Sequence, residues 1–135
     1  MKALIFAAGL GTRLKPLTDT MPKALVPING KPLLEHQILK IKKMGFDHLV
    51  INVHHFADQI IDFLSKNNNF GLKIDISDER NLLLETGGGV KKAASFFTDE
   101  KPFLIHNVDI LSNIDLQSFY TKNASKSLIS LLVNQ

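Results

Sequence analysis

The segment Ala3-Leu4-Ile5-Phe6-Ala7-Ala8 is apolar without a break and runs straight into Gly9-Leu10-Gly11-Thr12-Arg13-Leu14. An apolar run this short and uniform fits a strand covered on both faces, and such strands belong to parallel sheets sandwiched between helices. The rest of the chain repeats the pattern. Apolar runs at His48–Val53, Leu72–Ile76, Phe103–Val108 and Leu128–Val133 alternate with segments of helical periodicity. Lys31–Met44 places Leu34, Ile38 and Ile41 on one stripe, reads Lys40, Lys42 and Lys43 as a solvated face, and stops at Gly45. Phe56, Ile60, Phe63 and Leu64 mark a second helix that ends in Asn67-Asn68-Asn69. Thr86–Phe97 is a third, and Asp115 caps a short fourth that runs to Lys122. This order predicts an α/β fold of Rossmann-like type, three layers deep, with a mostly parallel twisted sheet between helices.

Bulk properties narrow the function classes. The 135 residues, 44% of them hydrophobic, form one unit with no repeat, low-complexity stretch or linker. The formal charge of +3 is spread along the chain without a block of like charges. That argues against a nucleic-acid-binding arm and favours small phosphorylated ligands. The absence of cysteine excludes disulfides, thiol catalysis and thiolate-bound zinc, and is compatible with a reducing cytoplasm. No apolar run approaches a membrane span, and the N-terminal one is too short for a secretory core before Arg13 and Lys15 intervene.

In parallel α/β sheets, ligands bind beyond the carboxyl ends of the strands. That edge receives the loop from Gly9 to Asn29, then His54-His55, then Glu85-Thr86-Gly87-Gly88-Gly89, and finally Asp109. In the first loop, glycines let backbone amides close on an anion, and Arg13 and Lys23 neutralise what the amides leave over. It is not a dinucleotide fingerprint: Leu14 stands where a third glycine is needed, and Pro16 and Pro22 disfavour an immediate helix. It is not a Walker-type loop either, since no Gly-Lys-Ser/Thr ending is present. His54 and His55 read as the polar start of the next helix rather than as a metal pair.

Phe6-Ala7-Ala8-Gly9-Leu10-Gly11-Thr12-Arg13-Leu14, followed by Pro22-Lys23-Ala24-Leu25-Val26-Pro27, resembles the signature of sugar-1-phosphate nucleotidyltransferases, and the resemblance runs along essentially the whole chain. Leu84-Glu85-Thr86-Gly87-Gly88-Gly89 is most similar to members that act as N-acetylmuramate-1-phosphate uridylyltransferases, with mannose-1-phosphate guanylyltransferases as near neighbours. The resemblance implies transfer of a nucleoside monophosphate from an NTP, with UTP expected, to a sugar 1-phosphate. The products are an NDP-sugar, for cell-wall or glycan precursors, and pyrophosphate. A cytoplasmic, Mg²⁺-dependent enzyme is implied, with no nucleic-acid or membrane partner.

The same resemblance assigns residues. Ala7, Ala8 and Gly9 hold the nucleoside; Gly11, Thr12 and Arg13 cradle the phosphates; Lys23 contacts the reacting phosphates, so that Arg13 and Lys23 are the catalytic cations. Thr86 and Gly87 meet the base or ribose, with Glu79 or Arg80 as candidates for the base edge and Glu85 where many relatives carry glycine. Asp109 binds the metal, and Asn107 and Gly88 face the sugar. Val108 replaces a usual glycine and is expected to limit close approach of substrate. Family catalytic domains continue further, so residues 1–135 are expected to be the nucleotide-binding part, truncated at the C-terminus before the sugar-binding part and a second metal-binding aspartate. Apolar surface left exposed would favour a homo-oligomer. The alternative is a nucleotide-binding module without catalysis.

Overall fold

In a computed structural model, described for residues 1–123 and 128–133, the N-terminal apolar run is strand β1 (Lys2–Phe6). The loop that follows contains three short 3-10 turns, at Thr12–Leu14, Leu17–Asp19 and Lys23–Leu25. It closes with a small antiparallel ladder of β2 (Pro27–Ile28) and β3 (Lys31–Pro32). Asn29 and Gly30 join the two strands with φ of 50° and 77°, the positive values a tight hairpin turn requires. Helix α1 (Leu33–Lys43) therefore begins two residues later than its periodicity suggests, because Lys31 and Pro32 are held in this ladder.

β4 (His48–Val53) is buried throughout. Helix α2 (Ala57–Lys66), strand β5 (Lys73–Asp78), helix α3 (Thr86–Ala93), strand β6 (Phe103–Asn107) and helix α4 (Leu116–Asn123) follow. The expected third helix is shorter than predicted, since Ala94–Phe96 tightens into a 3-10 turn. Asp115 caps α4 as expected, its Oδ1 accepting the Ser118 amide at 2.9 Å.

The four long strands form one parallel sheet in the order β5-β4-β1-β6, with Leu4 level with Val50 on one side and Ile105 on the other. Successive side chains divide between its faces. Ala3, Ile5, Leu49, Ile51, Val53 and Leu104 pack with Leu34, Ile38 and Ile41 of α1, Ile60 and Leu64 of α2, and Leu116 of α4. Burying each of the larger aliphatic side chains contributes about 1.5–3 kcal/mol, so this face is the main core. Leu4 and Val50 point the other way, against Ala93 and the rings of Phe6, Phe96, Phe97 and Phe103, where α3 forms the third layer. The three-layer expectation holds.

One expected strand is not formed. Leu128–Val133 has no strand structure, and Leu128, Ile129 and Leu131 are 101%, 74% and 81% exposed. An apolar run becomes a strand only where a neighbour takes its backbone hydrogen bonds, and none of the described residues does so here.

Candidate functional site

The strand order reverses at β1, which has β4 on one side and β6 on the other, so a crevice opens beyond the carboxyl ends of β1 and β6. A cavity of about 860 Å³ lies there, lined by Gly9 to Leu14, Lys23, Ile28, Leu33, Leu83, Asp109 and Leu111. Its size suits a small-molecule ligand.

The loop is built around Gly11. With φ 65° it sits in the left-handed region, and a Cβ there would lie 2.8 Å from Thr18 Cγ2 and 3.0 Å from Lys23 Cβ. The carbonyl of Gly11 accepts from Leu14 N and from Thr18 Oγ1, each at 2.8 Å, which folds the Thr12–Leu14 turn back on itself. Thr18, buried at 3% exposure, is a loop-closing residue that its surroundings in sequence did not single out. Thr12 and Arg13 remain exposed toward the cavity.

Lys23 reaches across the crevice to Asp109, Nζ donating to Oδ2 in an ion pair between residues 86 positions apart. Burial pushes the Asp109 carboxyl up, but the Lys23 hydrogen bond and charge outweigh it, helped by Arg13, and hold it below the ordinary carboxylate range. Asp109 is positioned from below: Gln37 Nε2 donates to Ile110 O at 2.8 Å, and Lys40 Nζ donates to Ser112 O and Oγ at 2.7 and 2.8 Å. Lys40 is thus a brace for the segment after Asp109, not the solvated residue expected. Its pKa is lowered by burial.

Val108 does not obstruct the crevice. It is buried at 4% in the main core, and its amide donates to Phe6 O at 3.1 Å as a continuation of the sheet. The expected limit on substrate approach is therefore absent, since the side chain turns inward. Asn107 is exposed at the strand end, beside Asp109.

Ala7 and Ala8 are buried, and both amides donate to Asn52 Oδ1, at 2.6 and 3.2 Å. What they leave for a ligand is carbonyl oxygen, while Gly9 is exposed. Thr86 and Gly87 are exposed in the first turn of α3 and Gly88 is half-buried, outside the residues that line the cavity. Glu85 makes no side-chain cap there, so the first amides of α3 face outward with the positive end of the helix dipole.

Of the base-edge candidates, Glu79 is fully buried and Arg80 is tied at the surface to Asp78 and Asp58. His54 Nδ1 contacts Glu79 O at 2.8 Å and the His55 ring lies against Phe56, so the histidines do not converge. Among the described residues no cluster of three His, Cys, Asp or Glu side chains forms. Asp109 alone nevertheless suits Mg²⁺, which is commonly held by one or two carboxylates with the remaining positions filled by substrate phosphates and water.

The sequence profile of the nucleotidyl transferase family matches residues 2–134. The chain is 40% identical over 125 residues to an N-acetylmuramate alpha-1-phosphate uridylyltransferase of Neisseria meningitidis, covering 93% of this chain and 54% of the relative. It is 34% identical over 134 residues to the mannose-1-phosphate guanylyltransferase catalytic subunit beta of Danio rerio, covering 96% of this chain and 37% of the relative. The structure of HddC from Yersinia pseudotuberculosis complexed with GMP-PN matches with a TM-score of 0.81 at 33% identity, over 92% of this chain and 54% of that one. The chain thus spans about half the length, or less, of these relatives. With the profile match running nearly end to end and the parallel sheet presenting its glycine loop at the switch point, the chain belongs to the nucleotidyl transferase family.

Proposed function

We propose that residues 1–135 form the nucleotide-binding part of a sugar-1-phosphate nucleotidyltransferase and carry its catalytic cations. The observation behind this reading is the convergence of the Gly11 loop, Lys23 and Asp109 on one crevice. Gly11, Thr12 and Arg13 receive the phosphates, and Ala7, Ala8 and Gly9 the nucleoside. Thr86 and Gly87 meet base or ribose, and Asn107 and Gly88 lie toward the sugar. In the reaction an oxygen of the sugar 1-phosphate bonds to the α-phosphorus of the NTP. The bond from that phosphorus to the bridging oxygen breaks, and pyrophosphate leaves with the electron pair. Lys23 and Arg13 hold the triphosphate in line and neutralise the charge that develops on the leaving oxygen. Asp109 would hold Mg²⁺, which when bound would supply further neutralisation of the phosphate charge.

UTP is the expected nucleotide, from the Leu84–Gly89 segment, although one relative is named a uridylyltransferase and another a guanylyltransferase. A cytoplasmic setting follows from the supply of NTP. No described helix is long and apolar enough to cross a membrane. The second reading, a nucleotide-binding module without turnover, is favoured by a crevice that presents a single carboxylate among the described residues.

Binding of UTP and GTP to the chain, and pyrophosphate release with a panel of sugar 1-phosphates, test both readings. The first expects Mg²⁺-dependent binding by this chain that Lys23→Ala weakens at least about tenfold, with release of pyrophosphate once a C-terminal sugar-binding part is joined to it. Binding without release by that longer chain supports the module. Absence of binding to any NTP refutes both.

A further inference from the structure

Asn52 interrupts a strand whose six residues are all buried, and is itself 2% exposed. Its Oδ1 accepts from Ala7 N and Ala8 N. Amides only donate, so those two bonds fix the orientation of the carboxamide and leave Nδ2 on the far side, where it donates to Glu79 Oε1 at 3.0 Å. Glu79 is 0% exposed, and its Oε2 accepts from Leu84 N at 3.2 Å. The backbone of Glu79 is clamped as well, its amide donating to Val53 O at 2.7 Å. Gly89 makes room for the pair: a Cβ there would come within 3.1 Å of Glu79 Oε1 and 3.5 Å of Asn52 Nδ2.

These bonds form one chain, from the entry of the Gly9 loop through Asn52 and Glu79 to Leu84, two residues before the first turn of α3. Neither side chain reaches the crevice surface. We propose that Asn52 and Glu79 are a positioning pair, holding the loop entry at Ala7 and Ala8 and the α3 turn at the separation a nucleoside spans, so that the two segments grip the nucleoside half of the ligand as a unit. This rests on the nucleotide-binding reading above.

Near-isosteric substitutions test it. Asn52→Asp puts an acceptor opposite the Glu79 carboxylate, and Glu79→Gln puts a donor opposite the Asn52 donor, so each breaks the link with little change of volume. The double variant reverses the polarity of the link and restores it. The carboxylate at position 52 then accepts from Ala7, Ala8 and the new amide at position 79, whose oxygen still accepts from Leu84. UTP and GTP affinities are measured by calorimetry on the 135-residue chain. Uridine, guanosine and inorganic tripolyphosphate are titrated by NMR, and thermal melting is followed for every variant.

Each single substitution is expected to weaken the NTP and the nucleoside roughly tenfold or more while tripolyphosphate alone binds nearly as before. The double variant is expected to recover most of that loss. Single variants that bind NTP as tightly as the unmodified chain overturn the proposal. So do folded single variants that lose nucleoside, tripolyphosphate and NTP in parallel with their melting temperature, as a purely structural role demands. A double variant that is unfolded, or binds no better than the singles, overturns it too, even where the singles do not fold. If the unmodified chain binds no NTP, the nucleotide reading has failed before any variant is compared.

Discussion

Gly11 is held between two side chains that leave no room for a methyl group, and its backbone conformation is one that L residues adopt only at a cost. Gly11→Ala is expected to destabilise the chain by about 1–3 kcal/mol in a urea titration and to weaken NTP binding. A variant of unchanged midpoint contradicts that account. Two neighbouring titratable groups define an acid response. Burial lowers the pKa of His106, with Lys40 adding to the shift, while the Asn107 carbonyl and Asp109 oppose it. Its folded value lies below its unfolded one, so its contribution is full above about pH 6.5 and drains as pH falls through the folded value. Asp109, also held low, contributes above about pH 4 and loses that contribution as pH falls through its depressed value. The urea midpoint is therefore expected to decline in two stages between pH 8 and pH 3. His106→Gln removes the upper stage and Asp109→Asn diminishes the lower.

Helix α3 shows how one element serves two demands. Nothing lies within 4 Å of a Cβ at Gly87, whereas one at Gly89 would sit 2.9 Å from the Phe6 ring. Gly87→Ala is expected to stabilise the fold by about 0.5–1 kcal/mol, because alanine suits a helix better, and to weaken nucleotide binding where backbone must approach the ligand. Gly89→Ala is expected to destabilise it, since neither the ring nor the buried Glu79 can retreat. Parallel urea titrations of the two variants check both signs.

The periodicity of the chain made such elements legible. β4 is found where the apolar run His48–Val53 stands, and Asp115 caps α4 as its residue type suggests. The crevice was legible too, because the strand-end rule brings Gly11, Lys23 and Asp109 together without knowledge of any contact. The bracing was not. Asn52 meets Ala7 across 45 positions and Glu79 across 27, and Lys40 reaches Ser112 across 72, separations that leave no local pattern to read. Leu128–Val133 shows the complementary failure: strand propensity without a partner strand does not make a strand.

For the molecule as a whole, the apolar side chains of Leu128, Ile129, Leu131 and Val133 contribute nothing to its core and offer a sticky surface. Replacing Leu128 and Leu131 by serine is expected to leave the melting temperature unchanged and to reduce self-association in concentration-dependent light scattering. A drop in melting temperature would show that the segment supports the fold. The Lys23–Asp109 contact carries a different consequence. It joins a loop after the first strand to the end of β6, the last strand among the described residues, and β6 must dock on β1 before the two meet. A chain in which β6 has not docked on β1 therefore cannot bring Lys23 and Asp109 together, and a ligand that needs both recognises the paired strands. Binding becomes a reporter of that pairing. Any ligand of the crevice at a hundred times its dissociation constant would add about 2.7 kcal/mol to the stability of every element together, including strands it never touches.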